Sequence, residues 1–156
     1  MDFESSLLGL QTVLDHAAFE RDQAAAALFR AAEGVRRLRT QSQQLFTYRD
    51  EYQQRWTTQF KLLAAIEVVT SYQQFVARLD QAIDHLHQQT LHAEQEQVRA
   101  RELLISRETR VASVRKLIQR RLQAQVHKRG RHDQRQTDDT AAVMAQRAPR
   151  VSMNNS

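Results

Sequence analysis

Only one proline and three glycines occur in 156 residues, at Pro149 and at Gly9, Gly34 and Gly130. Sheets and hairpin loops need far more turn chemistry than that, so strand-based architectures are excluded. Cysteine is absent, which rules out a disulfide framework and fits a reducing compartment. Long apolar runs are missing too. The longest, Leu62 to Ile66, falls far short of the roughly 20 residues that span a bilayer. The opening MDFESSLLGL carries acid where a secretory leader carries positive charge. A soluble chain is expected, with any membrane association peripheral. Aromatic residues are scarce at 6%, which makes their placement informative.

What remains is 26% charge and an abundance of Ala, Gln, Leu and Arg, all strong helix formers. Stepping by threes and fours from Leu7 through Leu14, Ala24, Val35 and Leu45 to Trp56 meets fifteen seam positions. Only Arg21, Ser42 and Arg49 among them are polar. A second stripe runs from Val76 through Leu86, Leu104 and Ile118 to Arg121, with Thr90, Gln97, Arg107 and Arg121 as its polar members. Both keep one phase over six or seven heptads, the signature of coiled-coil helices. The phase fails between them, where Val68, Val69 and Thr70 are β-branched and Ser71 with Gln74 reads as a capping box.

The expected fold is therefore all-α: a long antiparallel two-helix coiled-coil hairpin with a frayed basic C-terminal tail. A single domain covers residues 1–156, with a first helix over about 5–57 and a tip over 58–70. The second helix covers 71–128, and a flexible or partly helical tail covers 129–156. Folding back about residue 64 sets Tyr52 against Val76, Arg49 against Leu79, Leu45 against Ile83 and Leu14 against Val114. It also sets Arg21 against Arg107, a layer that implies either a register one heptad off or splayed ends. Each arm spans roughly 75 Å at 1.5 Å per residue.

Charge is uneven. Ten basic residues face two acidic ones between Arg107 and Arg135, a net +8, although the whole chain carries +5. A solvated helix end is the default reading, contact with an acidic protein surface the functional rival, and nucleic acid a third. His85, His87 and His92 lack the i, i+4 spacing that zinc prefers on a helix, and read as surface side chains. No phosphate loop, nucleophile elbow or paired-acid constellation occurs. No catalytic, cofactor-binding or metal-binding residue is expected, and the chain is not expected to be an enzyme.

The segment TYRDEYQQRW places Tyr48, Tyr52 and Trp56 four residues apart on one helical face. Tyr52 and Trp56 are seam residues, so packing explains them. Tyr48 flanks the seam, as do Tyr72 and Phe75 on the returning arm, and rings of this kind suit protein docking.

TYRDEYQQRW, SYQQFVARLDQAI and the charged DQRQTDDTAAVMAQRA together resemble the FliJ family of the bacterial flagellar type III export apparatus, along nearly the whole chain. The resemblance implies a two-helix coiled coil similar to the stalk subunit of rotary ATPases, without catalytic activity or cofactor. It implies a monomer whose open end enters the hexameric export ATPase ring and whose side near the tip contacts the export gate membrane protein. Export chaperones are further implied partners, in the cytoplasm at the inner-membrane face. Gln41, Leu45, Tyr48, Tyr52, Phe75, Leu79 and Ala82 match the gate-binding face. The basic residues Arg115, Lys116, Arg120 and Arg121 are expected to contact the ring. The stalk of a virulence type III secretion system is an alternative, as is a homodimeric coiled-coil adaptor that binds nucleic acid through residues 107–135. A stalk inserted in a ring suits a partly polar, slippery seam. Leucine at several of Arg21, Ser42, Arg49, Thr90, Gln97, Arg107 and Arg121 is expected to stiffen the hairpin and impair export, and unimpaired export in a stiffened variant would count against that role.

Overall fold

The computed structural model describes residues 2–60 and 65–149. Helix α1 runs Phe3–Arg55, a π-helical turn follows at Trp56–Phe60, and helix α2 runs Ile66–Arg147. No strand occurs among the described residues. Each helix has an acidic residue in its first turn, Glu4 or Glu67, and closes on an arginine, Arg55 or Arg147. Those charges oppose the partial charges at the helix ends. The widened turn carries Thr57 and Thr58, whose hydroxyls donate to the Gln53 and Gln54 carbonyls at 3.0 Å. Such back-bonding loosens the regular ladder where α1 ends.

Contacts divide the chain into two units, residues 16–110 and residues 1–15 with 111–156. In the first unit the two helices pack antiparallel around a thin core, with Ala17, Ala24, Val35 and Leu79 buried. All fifteen seam positions from Leu7 to Trp56 are buried or partly covered. The alanines admit a close approach of the helices without supplying much apolar area. Residue numbers paired across the helices add to 127 for Glu20 with Arg107, 129 for Arg49 with Asp80 and 128 for Trp56 with Tyr72. The register read from the heptads corresponds to 128.

The layer of Arg21 and Arg107 keeps that register through its neighbours. Arg107 Nη1 lies 3.0 Å from Glu20 Oε2, and Arg110 Nη1 lies 3.6 Å from the same oxygen. His16 Nε2 lies 3.0 Å from Glu20 Oε1, while Arg21 turns aside to Asp22 Oδ1 at 3.0 Å. One carboxylate thus takes up the charge that a seam of two arginines leaves, and neither a slipped register nor a splay is needed. Replacing Glu20 with Ala is expected to cost about 1 kcal/mol and lower the melting temperature by about 2–4 °C, since these pairs are only partly covered. An unchanged melting curve, followed by circular dichroism, would show that the arginines tolerate each other unaided.

In the second unit Val111 is the buried residue, and Arg121 Nη1 donates to Ser6 Oγ across the helices. Of the second stripe only Arg121 is exposed. Cover ends at Gln125, and every described residue after it is exposed.

Two sequence expectations shift. Helix α2 starts at Ile66 and not at Ser71, with the Ala65 carbonyl accepting from the Val68 and Val69 amides at 3.0 and 3.2 Å. The β-branched run costs only tenths of a kcal/mol per residue, and Thr70 Oγ1 finds the Ile66 carbonyl at 3.0 Å. Helix α2 also continues beyond residue 128 to Arg147, so residues 129–147 of the expected tail are helical. Gly130 does not stop it, because one glycine costs about 1 kcal/mol and good helix formers flank it. The tip was expected at 58–70; within it residues 61–64 lie outside the described residues, as do 150–156 of the tail.

Candidate protein-docking site

Five rings gather where α1 meets its π-helical turn and α2 begins its return. Trp56 and Tyr72 stack with centroids 4.1 Å apart and planes 9° from parallel. Tyr52 stacks on the same Tyr72 at 5.7 Å and tilts against Phe75 at 4.6 Å. Tyr48 meets Tyr52 at 6.3 Å and Phe75 edge-on at 6.4 Å. The offset stacks and the edge contact suit the quadrupoles of aromatic rings, each pair contributing about 0.5–1.5 kcal/mol beyond area burial. Rings four apart along α1 and into its π-helical turn, and three apart on α2, fall on facing stripes, which is why a charged segment can build this cluster.

The cluster has an inner and an outer part. Leu79 is buried, while Leu45, Tyr52, Phe75, Tyr72 and Trp56 are partly covered. Tyr48 remains 47% exposed, the outermost ring of the group. Gln41 and Ala82 are exposed and lie one heptad further along, on the flank that Tyr48 and Phe75 mark. Of the seven residues matched to a gate-binding face, Gln41, Tyr48, Phe75 and Ala82 lie along one flank of the hairpin, while Leu45, Tyr52 and buried Leu79 sit in the seam beside it. Near them Arg49 Nε approaches Asp80 Oδ1 at 2.7 Å, off line for a hydrogen bond, so the contact is chiefly Coulombic.

Tyr72 was recognised from sequence only as a ring near the turn. Its place between Tyr52 and Trp56 makes it the keystone of the stack. The signal was present, because four residues back from Val76 the seam pattern lands on Tyr72. In the second unit Arg115, Lys116 and Arg120 are exposed, as is Arg121 with its bond to Ser6. Beyond them the helix carries His127, Lys128, Arg129, Arg131, His132 and Arg135, all exposed. His85, His87 and His92 are exposed as well, and no group of three or more metal-ligating side chains occurs among the described residues. No described helix is long and apolar enough to cross a membrane.

Two long helices packed against each other, with a ring-lined flank, define the class: a helical-hairpin protein. The chain belongs to the FliJ family, matching the model of the flagellar FliJ protein over residues 6–150. It is accordingly a component of the flagellar type III protein export machinery, in a family without catalytic function. No curated protein and no solved structure matches the chain.

Proposed function

We propose that this chain is the stalk of the flagellar export apparatus, joining the hexameric export ATPase ring to the cytoplasmic part of the export gate and receiving export chaperones. The observation that carries this reading is the exposed flank of Tyr48 beside Phe75, a ring pair at 6.4 Å that a two-helix seam does not consume. Exposed aromatic side chains bring contact area at low entropic cost, and they concentrate binding energy at interfaces. Gln41, Leu45, Tyr52, Leu79 and Ala82 complete the gate face. The ring-facing end is the basic helix from Arg115, Lys116, Arg120 and Arg121 onward. After Gln125 it has no cover of its own, and an uncovered helix of about twenty residues is marginal in water. A surrounding ring supplies the missing contacts, and acidic ring surfaces suit its charge. The protein works in the cytoplasm, held at the inner-membrane face only through its partners, and performs no catalysis.

Capture assays with the purified ATPase and the purified cytoplasmic part of the gate test this reading. Full-length chain is expected to retain both. Capture of neither would dismiss the stalk role.

A further inference from the structure

The flank marked by Tyr48 and Phe75 runs on well past the rings. Seven-residue steps carry it from Tyr48 through Gln41, Gly34 and Ala27 to Glu20 on α1. On α2 they carry it from Phe75 through Ala82, Gln89, Glu96 and Leu103 to Arg110. Contacts across the helices fix both ends, Tyr48 with Phe75 at 6.4 Å and Glu20 with Arg110 at 3.6 Å. Outside this strip stands a second row on each helix, Arg30 and Arg37 on α1 and Arg78, His85, His92 and Arg99 on α2. All six are exposed. Only Arg99 among them has a carboxylate partner among the described residues, Glu96 at 2.7 Å. Glu51 and Glu96 are the only acidic members of these four rows over residues 27–51 and 75–103. Between the cationic rows the side chains are short, at Ala27, Gly34 and Ala82. A Cβ on Gly34 would meet nothing within 4 Å, so packing inside the chain does not require glycine there. Glycine nonetheless costs about 1 kcal/mol against alanine inside a helix.

We infer that this strip binds an acidic helix of a partner protein, laid along both helices with its carboxylates toward the two cationic rows. Rows of one sign without compensating acids attract a partner of the opposite sign. Arginine suits carboxylate in particular, because its planar fork holds both oxygens. Spacing decides between polyanions. Cations seven residues apart recur every ~10.5 Å along a helix, which is also the repeat of Glu or Asp on one face of a partner helix. Phosphates recur every ~3.4 Å along each strand of a duplex, so most of them would face no cation. No ring stands between the arginines for a single-stranded base to stack on. The missing side chain at Gly34 lets the backbone of the partner helix come close.

From Arg78 to Arg99 the strip is about 30 Å long, which accommodates about three heptads of a partner helix. A contact of that size, built on exposed charges, is transient and weakens with salt. Two copies of the chain would set like cationic rows against each other, so the strip keeps the free chain monomeric. The inference goes beyond the stalk reading and does not rest on it, and its test uses none of the export partners.

The probe is a labelled synthetic helical peptide of three heptads with glutamate repeating every seven residues, titrated with the full-length chain and followed by fluorescence anisotropy. Binding that fades with salt is expected. A peptide of the same composition with its glutamates moved off the repeat should bind at least about tenfold more weakly, a shift near 1.4 kcal/mol. Arg30→Gln, Arg37→Gln and Arg78→Gln together should weaken binding of the repeating peptide by a similar factor. Arg115→Gln, Lys116→Gln and Arg120→Gln together remove the same charge and should leave it within about twofold. Gly34→Leu should weaken it about tenfold without lowering the melting temperature, since leucine is the better helix former. The substituted cations are exposed, so circular dichroism should be unchanged in both triple variants. Absence of binding would overturn the inference, as would equal affinity for the two peptides or indifference to Gly34→Leu. Equal loss in the two triple variants would overturn it as well, by reducing the effect to general attraction toward a basic chain. So would a single-stranded DNA 20-mer that binds more tightly than the peptide and is lost with Arg30, Arg37 and Arg78.

Discussion

Replacing Tyr48 and Phe75 together with alanine is expected to weaken binding to the cytoplasmic part of the export gate by about 100-fold, as two central aromatic anchors each carry about 1–2 kcal/mol at an interface. The same variant should keep nearly all its helicity. Tyr48 is 47% exposed, stacked on Tyr52 at 6.3 Å and edge-on to Phe75, so its removal from the outer side of the cluster leaves no enclosed cavity. Phe75 is more involved, because its ring lies 4.6 Å from that of Tyr52. Its loss should lower the melting temperature by a few degrees while the Trp56–Tyr72 stack and buried Leu79 hold the helices together. Titration calorimetry against the gate, with circular dichroism alongside, separates the outcomes. Collapse of helicity would make these rings structural, and unchanged affinity would remove them from the docking face.

Ending the chain after His127 should weaken association with the ATPase ring by at least about tenfold while leaving gate binding within about twofold. Residues 128–147 are helical, and every side chain among them is exposed, so removing them disturbs no packing. The deletion takes away Lys128, Arg129, Arg131 and Arg135 from the basic end but leaves Arg115, Lys116, Arg120 and Arg121. Residual ring binding should therefore persist and fade with salt, as contacts between exposed charges do. Surface-bound ring and gate, probed with the same truncated chain at two ionic strengths, provide the check. Equal loss toward both partners would contradict separate docking surfaces.

Much of the fold was legible because burial in a two-helix seam follows one narrow stripe. Leu7, Ala17, Val35 and Trp56 lie on a strict three-four step, and each is covered as that step requires. Folding the two stripes about residue 64 set Arg49 against Leu79, one residue from Asp80, with which it pairs. Helix ends were harder to place, for an energetic reason. The differences that mark Ser71 as a cap, or Gly130 as a stop, are near 1 kcal/mol or less, and cooperative propagation along a helix overrides them. The arginine layer looked unfavourable because a seam count contains Arg21 and Arg107 but not Glu20, which reaches over from the flank.

The candidate site divides in the same way. Tyr48, Tyr52 and Trp56 announced themselves by spacing, and the role of Tyr72 emerged only when its ring was seen between two others. The cationic rows of Arg30 with Arg37 and of Arg78 to Arg99 escape any count restricted to the seam, because their members sit off it. Regular spacing off the seam is itself a signal. A face that repeats every seven residues stays aligned with another helix laid along it, whereas isolated exposed arginines do not.

Everything rests on the chain doubling back upon itself at the register read from its heptads. With no native cysteine, Val13→Cys and Leu117→Cys offer two specific labelling positions, both exposed and flanking the seam at matching levels. Pulsed electron–electron spin measurements on the doubly labelled, full-length chain, diluted with unlabelled protein so that only intramolecular pairs report, give the distance directly. Helix axes about 10 Å apart predict a single short distance set by that spacing and the label linkers. A separation approaching about 150 Å, which the intervening residues would span as one continuous helix, or a broad distribution without a short component, would contradict the hairpin.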